Sequence, residues 1–254
     1  MMGTAVMLCP DREGIAARAL DLLVDGLRAG IHRHGSAHLA LTGGSSASAL
    51  FSRLCGDERK ERVDWSAVHV WQGDERFVPW SDPDSNWAAA RREWLDHPDG
   101  PHIPDDRLHP IPVERAITEG RDAAWAAERY ASELERSLPS ARGAPAFDVV
   151  LLGVGGDGHI FSAFPGTAPV REEQRVALAV EAPTHIEPHV ARVTLAPHLL
   201  RSAGLVLVMV PGAAKAGIIA ECFGPFPDPD RWPAQLALLP NAVWLLEPGS
   251  AAAL

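Results

Sequence analysis

The chain has 254 residues, with 23 Lys plus Arg against 33 Asp plus Glu, giving a formal net charge of −10. Hydrophobic residues at 46% and charged residues at 22% exclude a disordered chain and a coiled coil, and the length suffices for a core without disulfide staples. The acidic balance argues against nucleic acid and against an anionic membrane surface as partners.

The segment up to Cys9 lacks a basic stretch followed by a long apolar one, so a cytoplasmic protein without a signal peptide is expected. The three cysteines, Cys9, Cys55 and Cys222, are widely spaced and predict buried, reduced thiols rather than a disulfide framework. Ala37 to Leu41 reads as a strand running into Thr42-Gly43-Gly44-Ser45-Ser46 and a helix near Ala47 to Leu54. Val68 to Trp71 is the next strand, followed by a charged turn, Gly73-Asp74-Glu75-Arg76, and a helix from about Asn86 to Leu95. Residues 96 to 113, with five prolines and three histidines, predict an irregular excursion before a helix over Ala123 to Leu138. Phe147 to Leu152 is a strand leading into a glycine-rich loop from Gly153 to Gly158. Leu205 to Val210 is a buried strand, far too short for a membrane span, closed by Pro211-Gly212 and followed by a helix containing Lys215. Residues 224 to 233, with four prolines, predict a surface loop, and Val243 to Leu246 a last strand. Continuous apolar strands alternating with helices predict an α/β fold with a largely parallel sheet covered on both faces, in a single domain spanning residues 1–254.

In such sheets ligands bind at the carboxyl ends of the strands, and four segments there carry chemistry. In Thr42 to Ser46, Gly43 and Gly44 let backbone N–H groups approach an anion and Ser45 adds a hydroxyl before a helix start. The same residues equally describe a tight turn with a Ser cap. Asp74-Glu75-Arg76 is either a solvated charge cluster or an anion-binding arginine held by neighbouring carboxylates. Gly153-Val154-Gly155-Gly156-Asp157-Gly158-His159 matches a dinucleotide pattern, with Glu181 as a candidate ribose ligand, but Pro165-Gly166 leaves no room for the helix that pattern needs. Four glycines in six residues instead make a pliable loop presenting Asp157 and His159, with His159 the candidate general base. Lys215 sits among small residues at a helix start, against the helix dipole; it faces an anionic ligand or snorkels at the surface. His185 and His189 are four apart, but Pro188 breaks the helix that would align them, and His32 and His34 read as an exposed turn, so no metal site is expected. No GxSxG elbow is present, so no group reads as a covalent nucleophile.

Taken in order, these segments resemble the sugar-phosphate family of 6-phosphogluconolactonases and glucosamine-6-phosphate deaminases. The resemblance runs through Leu41 to Ser45, Gly73 to Pro79, Asp84-Ser85-Asn86, Gly153 to His159 with Phe164-Pro165-Gly166, Arg192-Val193-Thr194-Leu195, and Gly212 to Ala216. Deaminases of the family carry a glutamate five residues after the histidine, where this chain has Phe164, and lack an arginine equivalent to Arg76; both differences point to the lactonase branch. Ile160-Phe161-Ser162-Ala163 departs from the Thr-Ala-Ser-Leu usual in that branch, which bears on the wall of the site. The resemblance implies a modified Rossmann-like sandwich and a cofactor-free hydrolase opening 6-phospho-D-glucono-1,5-lactone in the oxidative pentose phosphate pathway. His159 would be the base, Asp157 would orient it, and Gly43, Gly44, Ser45, Arg76 and Lys215 would hold the substrate's anionic groups. The sugar-phosphate lactone would be the partner of a monomer, a dimer being the alternative. An aldose–ketose isomerase/deaminase and a non-catalytic sugar-phosphate binder are the competing readings.

Overall fold

A computed structural model describes residues 3–254. Among the described residues twelve strands form three sheets: β1 (Ala5–Leu8), β2 (Ala37–Leu41), β3 (Val68–Gln72), β4 (Asp74–Arg76), β5 (Leu108–His109), β6 (Ser140–Ala141), β7 (Ala144–Pro145), β8 (Val149–Leu152), β9 (Ala177–Val180), β10 (Arg192–Leu195), β11 (Leu205–Val210) and β12 (Ala242–Leu246). The helices are α1 (Arg12–His34), α2 (Ser45–Gly56), α3 (Asn86–Ala90), α4 (Val113–Thr118), α5 (Ala123–Ser137) and α6 (Ala216–Cys222). The main sheet has the order β1-β12-β11-β8-β2-β3-β5, and every pairing in it is parallel. From β2 the chain winds outward through β3 to β5, and from β8 in the opposite direction through β11 to β12. The β2/β8 boundary is therefore the crevice where ligands lodge in such folds.

Period-two alternation splits each central strand between two cores. Leu39, Leu41, Val149, Leu151, Leu207 and Met209 face one side, where they pack with Leu20, Leu23 and Leu27 of α1 and Leu50 and Leu54 of α2. Ala40, Val150, Leu152, Val206, Val208 and Val210 face the other, with Tyr130 and Leu134 of α5 and Ile218 and Ile219 of α6. Both faces are covered, as the unbroken apolar strands require. The long helix α1 begins where Asp11 accepts from Gly14 N–H at 2.8 Å and ends at Gly35, whose φ of 77° is a left-handed cap.

Several elements differ from expectation. His32 and His34 occupy the exposed last turn of α1, not a separate turn. The predicted helix Asn86–Leu95 is α-helical only to Ala90 and continues as a π turn over Arg91–Leu95. Within the Pro-rich excursion Leu108–His109 still pairs with β3 as the sheet edge. The charged segment Asp74–Arg76 is a strand, not a turn: β4 pairs antiparallel with β10, and β10 with β9, making a three-stranded second sheet. All three cysteines are buried free thiols, and burial pushes the Cys222 thiol up to about 12. Among the described residues no helix is long and apolar enough to cross a membrane.

Candidate active site

The turns after β2, β8 and β11 lie side by side because those strands are neighbours. Together with β4 they enclose a cavity of about 220 Å³ lined by Gly43, Gly44, Ser45, Arg76, His159 and Lys215, among others. Asp157 stands behind His159. The structure thus brings all the expected residues to one place. It adds Asp74, Asn86 and Phe161 to the lining.

Gly44, not a serine, is the residue before α2. Its φ of 83° lies in the left-handed region, and no side chain caps the helix start. The first N–H groups of this 12-residue helix therefore open toward the cavity with the positive end of the helix dipole. Gly43 lies directly under the Asn86 side chain, leaving no space for a Cβ.

The Asp74-Glu75-Arg76 segment is neither a solvated cluster nor an arginine clasped by carboxylates. Strand alternation sends Asp74 and Arg76 to the cavity and Glu75 into the protein, fully buried. There Glu75 Oε1 accepts from Arg76 and Asn86 N–H at 2.8 and 2.7 Å. Its Oε2 accepts from Gln72 Nε2, Ser85 Oγ and Trp87 N–H at 2.9, 3.0 and 2.8 Å. Burial pushes the Glu75 carboxyl up, and hydrogen bonds from Gln72, Trp87, Asn86 and Arg76 pull it back. Glu75 thereby ties β4 to the start of α3. Arg76 is braced by a carbonyl instead, its guanidinium donating to Asp84 O at 2.6 Å. Opposite it in the β4–β10 register is Arg192, 2% exposed, one of whose terminal nitrogens donates to Pro188 O at 2.8 Å.

In the glycine loop, His159 Nδ1 lies 2.6 Å from Asp157 Oδ1, which also accepts the His159 backbone N–H at 3.1 Å. Burial opposes the charge on Asp157, but hydrogen bonds from His159 and His185 and the nearby His159 charge hold its carboxyl well below the usual range. The Asp157 carboxylate accepts a proton carried on Nδ1, and in the neutral tautomer of that ring Nε2 is the acceptor. The His159 ring rests on Gly155, where a Cβ would collide with it, and against Phe164 at 4.8 Å between ring centroids. Lys215 lies in a 3-10 turn (Ala213–Lys215) ahead of α6 rather than inside the helix, and is half-buried. Burial pushes its ammonium below the ordinary lysine value, opposed by the charge of Asp157.

Of the segment Ile160-Phe161-Ser162-Ala163, Phe161 lines the cavity. Phe161, at φ 50°, packs on Gly73, and Ser162 Oγ donates to Asp74 Oδ2 at 2.6 Å. Sequence reasoning missed Asp74 as a lining residue because a run of three charges does not show which of them face inward. It also missed His185, whose Nε2 lies 2.9 Å from Asp157 Oδ2. His189 turns away to Pro183 O and Glu187, so the two histidines do not converge.

The family described as glucosamine-6-phosphate isomerases/6-phosphogluconolactonase matches residues 10–245. A 6-phosphogluconolactonase of Mycobacterium tuberculosis is 35% identical over 254 residues, covering 100% of this chain and 99% of that protein. One of Nostoc sp. is 32% identical over 256 residues, again covering 100% and 99%. The structure of 6-phosphogluconolactonase from Trypanosoma brucei superposes with a TM-score of 0.86 at 28% identity, covering 100% of both chains. Fold, site geometry and sequence agree, and the chain belongs to the glucosamine-6-phosphate isomerase/6-phosphogluconolactonase family.

Proposed function

We propose that this chain, as one domain, hydrolyses 6-phospho-D-glucono-1,5-lactone to 6-phospho-D-gluconate in the oxidative pentose phosphate pathway, with His159 as the general base. The observation that carries the reading is the Asp157–His159 pair, 2.6 Å apart, in a cavity that also presents Arg76, Lys215 and an uncapped helix start. His159 Nε2 takes a proton from water as the water oxygen bonds to the lactone carbonyl carbon. Negative charge then develops on the carbonyl oxygen, and Arg76, which lines the cavity, is the cation assigned to it. The bond from the carbonyl carbon to the ring oxygen breaks next, and His159 returns its proton to that oxygen. Gly43, Gly44, Ser45 and Lys215 hold the phosphate by backbone N–H, hydroxyl and ammonium donors.

The names of the relatives support the lactonase reading, and Phe164 supports it over a deaminase. A phenyl ring packed on His159 supplies no acid for opening a sugar ring. A binder without catalysis would have no use for an oriented imidazole. The test is formation of 6-phosphogluconate from freshly generated lactone, followed by a coupled dehydrogenase or pH-stat and corrected for spontaneous hydrolysis. Wild-type protein that adds nothing to the spontaneous rate would refute the proposal.

A further inference from the structure

The second oxygen of Asp157 is occupied by a residue to which the lactonase reading gives no part. Oδ1 belongs to His159, while Oδ2 is met from the other side by His185 Nε2 at 2.9 Å. His185 comes from the connection between β9 and β10 and its side chain is 49% exposed. Its ring stands edge-on to Phe164, with centroids 6.0 Å apart and planes at 86°, and the same phenyl ring packs against His159. Two imidazoles therefore share one carboxylate and one aromatic wall.

We propose that His185 is a positioning residue for the Asp157–His159 pair and couples that pair to pH. The inference rests on the reading of His159 as the general base. A donor on Oδ2 stops the carboxylate from rotating, so Oδ1 stays on the His159 Nδ1 proton. While His185 is neutral, its Nε2–H fixes the carboxylate and leaves the negative charge to His159. Once protonated, His185 pairs with that charge and stands as a like charge to an imidazolium at position 159. Two imidazoles on one carboxylate compete for a single negative charge, and a cation on either opposes a cation on the other. His185 thus takes a share of the carboxylate charge that would otherwise fall to His159 alone. The other charged groups nearby are Lys215, which faces Asp157 from the start of α6, and the Glu187–His189 pair on the segment of His185 itself. Substitution of His185 leaves these in place.

The test compares wild type, His185→Ala and His185→Gln by the pH dependence of kcat/KM for the phosphorylated lactone. A substrate-free readout accompanies it, the titration of the His159 ring nitrogens by NMR. His185→Ala should lower plateau kcat roughly 3- to 10-fold, the effect of one lost hydrogen bond, with KM nearly unchanged. Its acid limb should move to higher pH by about half a unit to one unit, because His159 now has the whole carboxylate charge. The glutamine amide can donate to Oδ2 but carries no charge, so His185→Gln should recover most of the plateau and keep the displaced limb. Wild-type plateau and acid limb in both variants would overturn the proposal. So would a lowered plateau with an unmoved limb and no recovery in the glutamine variant, since that describes a mere loop anchor. A wild type that fails to hydrolyse the lactone would refute the proposed function alone. In that case a His159 titration unchanged across the three proteins would overturn the coupling, and a displaced one would support it.

Discussion

His159 is held by what surrounds it: a carboxylate on Nδ1, a phenyl ring on one side and a glycine beneath. If it is the base, His159→Ala should lower kcat by about 10²–10⁴-fold with substrate binding largely kept, which steady-state kinetics will read directly. Turnover at the wild-type level would place the base elsewhere. Lys215 and Arg76 differ in how they are held, and so in what their removal should do. Lys215 is half-buried and its ammonium has no hydrogen bond or ion pair among the described residues, whereas the Arg76 guanidinium is braced on Asp84 O at 2.6 Å. A charge-assisted hydrogen bond contributes roughly 1.5–3 kcal/mol, so Lys215→Ala should cost about 10- to 150-fold in kcat/KM on the phosphorylated lactone. Activity on unphosphorylated glucono-lactone should hardly change. Arg76→Ala should harm the first substrate at least as much and slow the second as well, through the oxyanion. Equal losses on both substrates in Lys215→Ala would remove Lys215 from the phosphate.

Among the elements, β4 depends most on a single residue. It is three residues long, and its place against α3 is set by the five donors converging on Glu75. In Glu75→Gln an amide NH₂ must replace one acceptor oxygen among N–H and O–H donors, leaving buried groups unsatisfied. A loss on the order of 2–4 kcal/mol in urea unfolding is expected. Because Arg76 and Asn86 donate to the same carboxylate from the rim of the cavity, kcat/KM should fall too, even well below the unfolding transition. A variant of full stability and full activity would show that β4 is held by its pairing with β10 alone.

For the molecule as a whole, the edge of the main sheet is closed by a network outside the cavity lining. His38, His69 and His109 come from β2, β3 and β5; His38 and His69 stack at 4.6 Å between ring centroids. Arg107 contacts His69 Nε2, His69 Nδ1 lies 2.9 Å from His109 Nε2, and His109 Nδ1 lies 2.7 Å from Glu133 of α5. Trp71 donates to His38 at 3.2 Å. Burial first, and then the charge of His69, push His38 down to about 3; burial and the charge of Arg107 push His69 down to about 4. The unfolded chain binds these protons near pH 6.5 and the folded chain does not, so stability rises with pH across this window and is lost as pH falls from about 6.5 toward 4. Each histidine contributes a slope of at most about 1.4 kcal/mol per pH unit, and the more deeply buried His38 contributes over the wider pH range. The urea midpoint should therefore drop between pH 7 and pH 5, and less so in His38→Asn. A midpoint flat over that range would mean that the cluster protonates in the folded state.

Local sequence is enough to establish the α/β class, the central strands β2, β3, β8, β11 and β12, and the set of residues at their carboxyl ends. These follow from short-range rules: unbroken apolar runs, glycines where the backbone must turn, and polar residues directly after strands. What those rules leave open is decided by pairing between distant segments. Asp74–Arg76 looks like a solvated turn on its own, and only its pairing with Arg192–Thr194 makes it a strand that buries Glu75 and presents Arg76. Leu108–His109 sits in a proline-rich stretch, and only the open edge of β3 makes it a strand. His185 resembles half of a poor metal motif until the fold sets its ring against Asp157. A residue's local pattern reports the backbone it prefers, but its partner across the fold belongs to another part of the chain, and only the folded chain brings the two within hydrogen-bonding reach.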